Sequence, residues 1–424
     1  MSVFSRGTAS RSRVRTVIGG LAIAGASALV LAGCAGGGGT AEPSDSAAPA
    51  EDLTLKVGTV LPQTGSLAFL GPPEEAGVQL AVNEVNEAGV GITVDATFGD
   101  SGDADNKAFE TTVPKLQSEG VAAMIGAASS GVTKLFLDSN VSEGIITFSP
   151  ANTSPDFTTW DDNGLYWRTA PSDLLQGEVL GNLVAEDGHK NIAVIYQNDA
   201  YGTGLYGVVK DVFESSGGTV VADASYNTGD TSFDAQVATV TAANPDAIVL
   251  ITFDEFATIA PLLVNAGQSA ENFYLVDGNL SQWGDKVSVP LTGAKGTTPG
   301  PELADDFETR LNDAWTAEGN SDLESYSYAG ESYDAVVLLA LASLAAGSTD
   351  PADIAEKLQE VSGGSGDGEK CTTFKECADI INGGGVADYD GYSGGVAFDD
   401  AGDPTEASIG IYQYGADNMF ERIN

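Results

Sequence analysis

The chain has 424 residues, with 61 Asp and Glu against 18 Lys and Arg, one histidine and a formal net charge of −43. So acidic a surface repels nucleic acid and anionic headgroups, which excludes DNA, RNA and lipid surfaces as partners. The length is sufficient for two lobes with separate cores.

Arg6, Arg11, Arg13 and Arg15 precede an apolar run over 17–31, and no acidic residue occurs before Glu42. A basic flank and a short apolar run ending in small residues form an export signal, too short for a comfortable membrane span. Its last residues, Leu31-Ala32-Gly33-Cys34, resemble the lipobox of bacterial lipoproteins. That resemblance implies removal of 1–33 and a diacylglyceryl group on the Cys34 thiol. Residues 34–52 are Gly, Ala, Ser, Pro and acid, too poor in bulky apolar side chains to order, and form a flexible stalk. The expected location is extracytoplasmic, with the lipid anchor as the only membrane contact.

From Leu53 strand and helix patterns alternate. Strands are predicted over 53–61, 92–98, 121–126 and 145–148, with helices over 74–87, over 104–117 and from Ser130. The rhythm restarts with strands over 191–196, 219–222, 247–251 and 273–276. Helices from Tyr201, over 233–243 and from Glu255 lie between them. Trp167-Arg168-Thr169 ends the first set as a crossover strand, with Arg168 structural. Strand and helix in alternation imply α/β architecture: two doubly wound parallel-sheet lobes with a cleft between. Helices over 302–316, 328–346 and 352–361 follow, then short strands over 395–398 and 408–412.

Ligands in such sheets bind outside the carboxyl ends of the strands. After the strand ending at Gly126 comes Ala127-Ala128-Ser129-Ser130-Gly131, hydroxyls leading into a helix, chemistry that suits a carboxylate. After 145–148 comes Ser149-Pro150-Ala151-Asn152-Thr153-Ser154-Pro155. Each loop could equally be capping residues.

In order along the chain stand Lys56-Val57-Gly58, Leu61-Pro62-Gln63-Thr64-Gly65, Asn83-Glu84, Ser129-Ser130, Thr153-Ser154-Pro155 and Trp167-Arg168-Thr169. Asn198-Asp199-Ala200-Tyr201-Gly202, Tyr389-Asp390-Gly391-Tyr392 and Gly402-Asp403-Pro404 follow. With this order the chain resembles the type I substrate-binding proteins of ABC transporters, of the leucine/isoleucine/valine kind. The resemblance implies three hinge crossings, near Thr169, Leu291 and Asp388. Lobe I is then 53–169 plus 292–388, and lobe II is 170–291 plus 389–424. It further implies a ligand carboxylate held by Ser130 and by Thr153 with the Ala151 backbone. The ammonium falls to Asp277, helped by the Ala151 carbonyl, and Tyr201 closes over the ligand. Asp277 replaces the longer glutamate of the family, and Leu70 stands where an aromatic often lies. Asp254, after the strand 247–251, is an added ligand candidate that could equally cap the next helix. The implied protein is a monomeric, non-enzymatic carrier without a cofactor, delivering an amino acid to an ABC permease. Urea, a short amide or another small carboxylate remains as an alternative ligand, and ligand sensing as an alternative role.

Other features argue against catalysis. Gly202-Thr203-Gly204-Leu205-Tyr206-Gly207 matches a dinucleotide fingerprint in letters, but Gln197 to Tyr201 separate it from the strand end. No G-x-S-x-G occurs, and His189 sits in a turn before a strand. Asp388-Tyr389-Asp390-Gly391 reads as an acidic turn rather than a calcium loop. Outside the membrane, Cys371 and Cys377 are expected to form a disulfide, a local staple worth about 2 kcal/mol. Zinc would need further ligands nearby.

Overall fold

The computed structural model describes residues 52–424. The export signal, Cys34 and the stalk up to Glu51 lie outside the described residues. The first alternation comprises β1 (Leu53–Val60), α1 (Gly71–Ala88), β2 (Ile92–Thr97), α2 (Phe109–Glu119), β3 (Ala123–Gly126), α3 (Ser130–Glu143), β4 (Ile146–Ser149) and β5 (Tyr166–Arg168). Its five strands are parallel in the order β2-β1-β3-β4-β5. Every residue of β3 and β4 is buried, as expected of strands with helices on both faces.

The second alternation comprises α4 (Asp173–Glu186), β6 (Asn191–Gln197), α5 (Ala200–Ser215), β7 (Thr219–Tyr226), α6 (Asp234–Ala242), β8 (Ala247–Ile251), α7 (Phe256–Asn265), β9 (Phe273–Leu275) and β10 (Lys295–Pro299). Three helices follow: α8 (Asp305–Ala317), α9 (Ala329–Ala346) and α10 (Pro351–Val361). The tail holds β11 (Glu369–Cys371), α11 (Phe374–Asn382), β12 (Ala387–Tyr389), β13 (Val396–Phe398), β14 (Pro404–Glu406), β15 (Ile409–Tyr414) and β16 (Phe420–Arg422). The second sheet runs β16-β15-β10-β9-β8-β6-β7. It is parallel from β7 to β10 and turns antiparallel at β15. The central β8, Ala-Ile-Val-Leu-Ile, is wholly buried, whereas edge strand β7 is largely open along its length.

The core of the first lobe joins β1 to α1, α9 and α10, with Ala76, Leu80, Val82 and Val85 on the buried side of α1. By length and composition α9 could cross a membrane, with a mean hydropathy of 1.3, but it is buried among these elements as a core helix. Cys371 and Cys377 are disulfide-bonded, Cα to Cα 5.4 Å, and both pack in this core. The second sheet has a core on each face, one with α4 and α5, the other with α6 and α7.

The structure departs from the sequence reading in several places. The crossing expected at Leu291 falls after β10, because Lys295–Pro299 pairs with both β9 and β15 in the second sheet. The crossing expected at Asp388 also falls later. Phe398 packs against Phe148 and Trp167 of the first lobe, with ring centroids 5.9 and 5.1 Å apart, so the chain passes over between β14 and β15. Helix α2 starts at Phe109 rather than near residue 104. Asp103 Oδ1 accepts from the N–H groups of Asp105 and Asn106, and Asn106 Oδ1 from that of Ala108. Such side-chain turns offer the backbone an alternative to helix. Helix α4 was not anticipated, although Ser172 caps it by accepting from Leu174 N–H at 3.3 Å.

Candidate ligand-binding cleft

A cavity lies where the carboxyl ends of the two sheets face each other. The first lobe contributes Leu67 and Leu70 after β1, Ala128 to Ser130 after β3 and Ala151 after β4. Tyr201 at the head of α5, Phe253 after β8 and Asp277 after β9 come from the second, and Tyr328 precedes α9. The space is about 10 Å³, room for about one water molecule. A ligand the size of an amino acid therefore enters only when the walls part.

The two ends of the cavity differ in chemistry. At one end Asp277 is buried and bound by three donors. Its Oδ1 accepts from Tyr201 Oη at 2.7 Å and Gln176 Nε2 at 2.9 Å, and its Oδ2 from Tyr328 Oη at 2.7 Å. Burial pushes the carboxyl up from its ordinary range, while the two phenols and the amide pull it back. Burial and the charge of Asp277 hold Tyr201 and Tyr328 far above the usual phenol range, so both remain donors. Beside them lies Asp173, raised well above the carboxylate range by burial and then by Asp277. Its Oδ2 accepts from Thr153 Oγ1 at 3.1 Å, and its buried Oδ1 has no partner among the described residues. Burial with a single donor therefore disfavours charge on Asp173, whereas three donors stabilise the carboxylate form of Asp277.

At the other end α3 begins. Ser129 caps it by accepting from Val132 N–H at 3.3 Å, and the unpaired first-turn N–H groups face outward with the positive end of the helix dipole. Ser130 Oγ accepts from Ser154 N–H at 3.3 Å, so its own proton remains available to an incoming anion. Leu67, Leu70, Ala128 and Phe253 supply apolar wall, and Phe253 stacks on Tyr201 at 5.4 Å.

Of the residues singled out from the sequence, Ser130, Ala151, Tyr201 and Asp277 meet at this cavity. The Ala151 N–H is taken by Ser149 Oγ at 3.2 Å, leaving its carbonyl. Thr153 does not line the cavity; its hydroxyl points to Asp173. Asp254 is exposed beyond Phe253, and its backbone N–H reaches Ser66 O at 3.3 Å. Arg168 is fully buried and grips Asp403 through Nε at 2.6 Å and Nη2 at 2.8 Å. Its Nη1 holds the carbonyls of Asn152 and Ser154, so it shapes the loop that carries Ala151.

Comparison with known proteins places this geometry. The periplasmic binding protein family matches residues 54–376. The chain belongs to that family. A Leu/Ile/Val-binding protein homolog of Brucella abortus is 30% identical over 311 residues, 72% of this chain and 82% of the relative. Among solved structures, the leucine-binding protein LivK of Thermotoga maritima superposes with a TM-score of 0.71 at 20% identity, over 87% of this chain and 98% of its own. LivJ of Streptococcus pneumoniae, in complex with isoleucine, gives 0.67 at 22% identity, over 87% and 99%. Both carry the two-lobe type I fold found here.

In this periplasmic binding protein, Asp173, Gln176 and Tyr328 escaped the sequence reading. The first two sit on the unanticipated α4, where Pro171-Ser172-Asp173 is a helix-start signal that could have exposed them. Tyr328 was read as the first residue of a helix. It instead precedes α9 with φ of 60°, which turns its phenol toward Asp277.

Proposed function

We propose that the protein captures an α-amino acid with an aliphatic side chain, of the branched-chain type, and delivers it to an ABC importer. The supporting observation is the polarity of the cavity. A buried acidic end at Asp277, with Asp173 behind it, opposes a donor end at Ser130 and the start of α3, with leucine and phenylalanine walls beside both. A zwitterion leaving water requires each charge matched, or desolvation cancels the gain. The ammonium bonds to the free lone pair of Asp277 Oδ2 and to the Ala151 carbonyl, and the carboxylate to Ser130 and the α3 N–H groups. Thr153 acts at one remove, by orienting Asp173. The names of the Brucella relative and of the two superposed structures agree with such a ligand.

Lobe I is 53–169 with about 300–406, and lobe II is about 170–299 with 407–424. Closure of the lobes over the ligand presents a surface for the permease. The Cys34 lipid anchor keeps the protein beside it, outside the cytoplasm. The small volume of the cavity supports a second reading, in which urea or a short amide is the ligand.

Calorimetry with leucine, isoleucine, valine, urea and acetamide separates the two. Saturable binding of an aliphatic amino acid, weakened roughly 30-fold or more in Asp277→Asn, is the expected result, since breaking a buried charge contact costs ~2–5 kcal/mol. Binding of urea or acetamide alone, indifferent to that substitution, would replace the amino-acid reading.

A further inference from the structure

A second, larger cavity of about 660 Å³ lies across the two lobes beside the crossing after β10. Glu302, Glu308, Glu324 and Glu331 approach it from one side and Glu421 and Arg422 from the other. Lys286 pairs with Glu324 at 2.6 Å. Glu302, Glu308, Glu331 and Glu421 make no ion pair among the described residues. Glu331 is only 5% exposed, and no side-chain hydrogen bond reaches its carboxylate among the described residues. Its Oε1 lies over Gly300, where a Cβ would stand 2.7 Å away at a φ of +99°. A side chain at residue 300 would fill the floor of the cavity.

A buried carboxyl facing a net acidic cavity is costly to ionise without a counter-charge. The wall already accepts one cation, for the Arg422 guanidinium lies 5.9 Å from the Tyr412 ring centroid. The volume suits a ligand of several heavy atoms. No group of three or more metal-ligating side chains exists among the described residues, so a bare metal ion is a poor fit.

We propose that this cavity is a second ligand site, taking a small organic cation of the alkylammonium class with Glu331 as its buried counter-charge. Tyr328 lines both cavities, and the occupant touches both lobes, so the site bears on the same closure as the cleft. Binding also moves a proton. Burial, with Asp334 adding to it, pushes the Glu331 carboxyl up to about 8, and the groups facing it are Glu74, Tyr328 and Tyr412. That shift favours the protonated acid in the empty cavity at pH 7. An ammonium in contact favours the carboxylate, so the proton leaves to solvent as the cation binds.

The test is calorimetry of the full chain with 1,4-diaminobutane, in enough salt to screen the general acidity of the surface. One-to-one binding is expected, with release of about one proton per ligand at pH 7, read from two buffers of different ionisation enthalpy. Glu331→Gln is expected to weaken it roughly tenfold or more. Glu87→Gln, the same change at an exposed acid at the other end of α1, leaves binding unchanged. Absence of saturable binding overturns the proposal, as does equal weakening by the two substitutions, which marks adsorption to the acidic surface. Should Glu331→Gln not fold, Glu421→Gln at the exposed middle residue of β16 must weaken binding, and an unchanged affinity overturns the site.

Discussion

Glu74 is buried in the first turn of α1, and neither carboxylate oxygen has a partner among the described residues. Burial first, then Glu75 and Glu331, raise its carboxyl well above the ordinary range. The folded protein therefore keeps a proton that the unfolded chain releases near 4.5. The stability tied to this group is fully present below that value and declines as pH rises toward the raised one. Glu74→Gln keeps the shape and removes the titration. Its melting temperature relative to the parent is expected to rise progressively from pH 5 to pH 8, and parallel curves would contradict the buried proton. Tyr328 acts on a second scale of energy, one charge-assisted bond of 2.7 Å to Asp277. Tyr328→Phe should weaken amino-acid binding roughly tenfold and expand the ligand-free protein in small-angle scattering. An unchanged radius and affinity would show that closure does not depend on this bond.

Among the elements, β5 and the turn before β14 are joined by the Arg168–Asp403 pair, whose side chains lie 235 residues apart in sequence. Gly402 makes the approach possible: with φ of +73°, a Cβ there would stand 2.4 Å from Tyr166 O. The same guanidinium donates to Thr158 Oγ1 at 3.1 Å and to the two loop carbonyls. Removing one partner of a buried pair strands the other, at a cost of about 3–5 kcal/mol. Asp403→Asn retains some hydrogen bonding, so chemical denaturation should show a loss of about 3 kcal/mol together with weaker ligand binding through the 149–155 loop. A stability loss under about 1 kcal/mol would mean that the pair behaves as a surface ion pair.

At the scale of the whole molecule, the proposed role requires the lobes to stay near a membrane and to open. Cys34→Ser is expected to release the protein from membranes into the medium, and mass spectrometry of the N-terminal peptide of the parent should show the added acyl groups. Equal membrane retention of parent and variant would exclude the anchor. The strand–helix alternation and the small polar loops after β3 and β4 were legible in the sequence, because periodicity and capping are local properties. Ser130 follows from them, standing at the head of a helix after a strand, whereas Tyr201 came from the resemblance to the substrate-binding family. Asp277 was likewise implied by that resemblance, which expects an acid just after the strand 273–276. The partners of Asp277 were not legible: Gln176 lies 101 residues away and Tyr328 51 residues away. Sheet membership was equally hidden, since Lys295–Pro299 sits in the second sheet between β9 and β15, the latter over a hundred residues later. By itself the sequence determined the type of each lobe and which loops could meet a ligand, because side-chain pattern dictates local structure. Only the tertiary structure decided where the chain crosses between lobes and which donors surround the buried carboxylates, because those depend on contacts that no local propensity encodes.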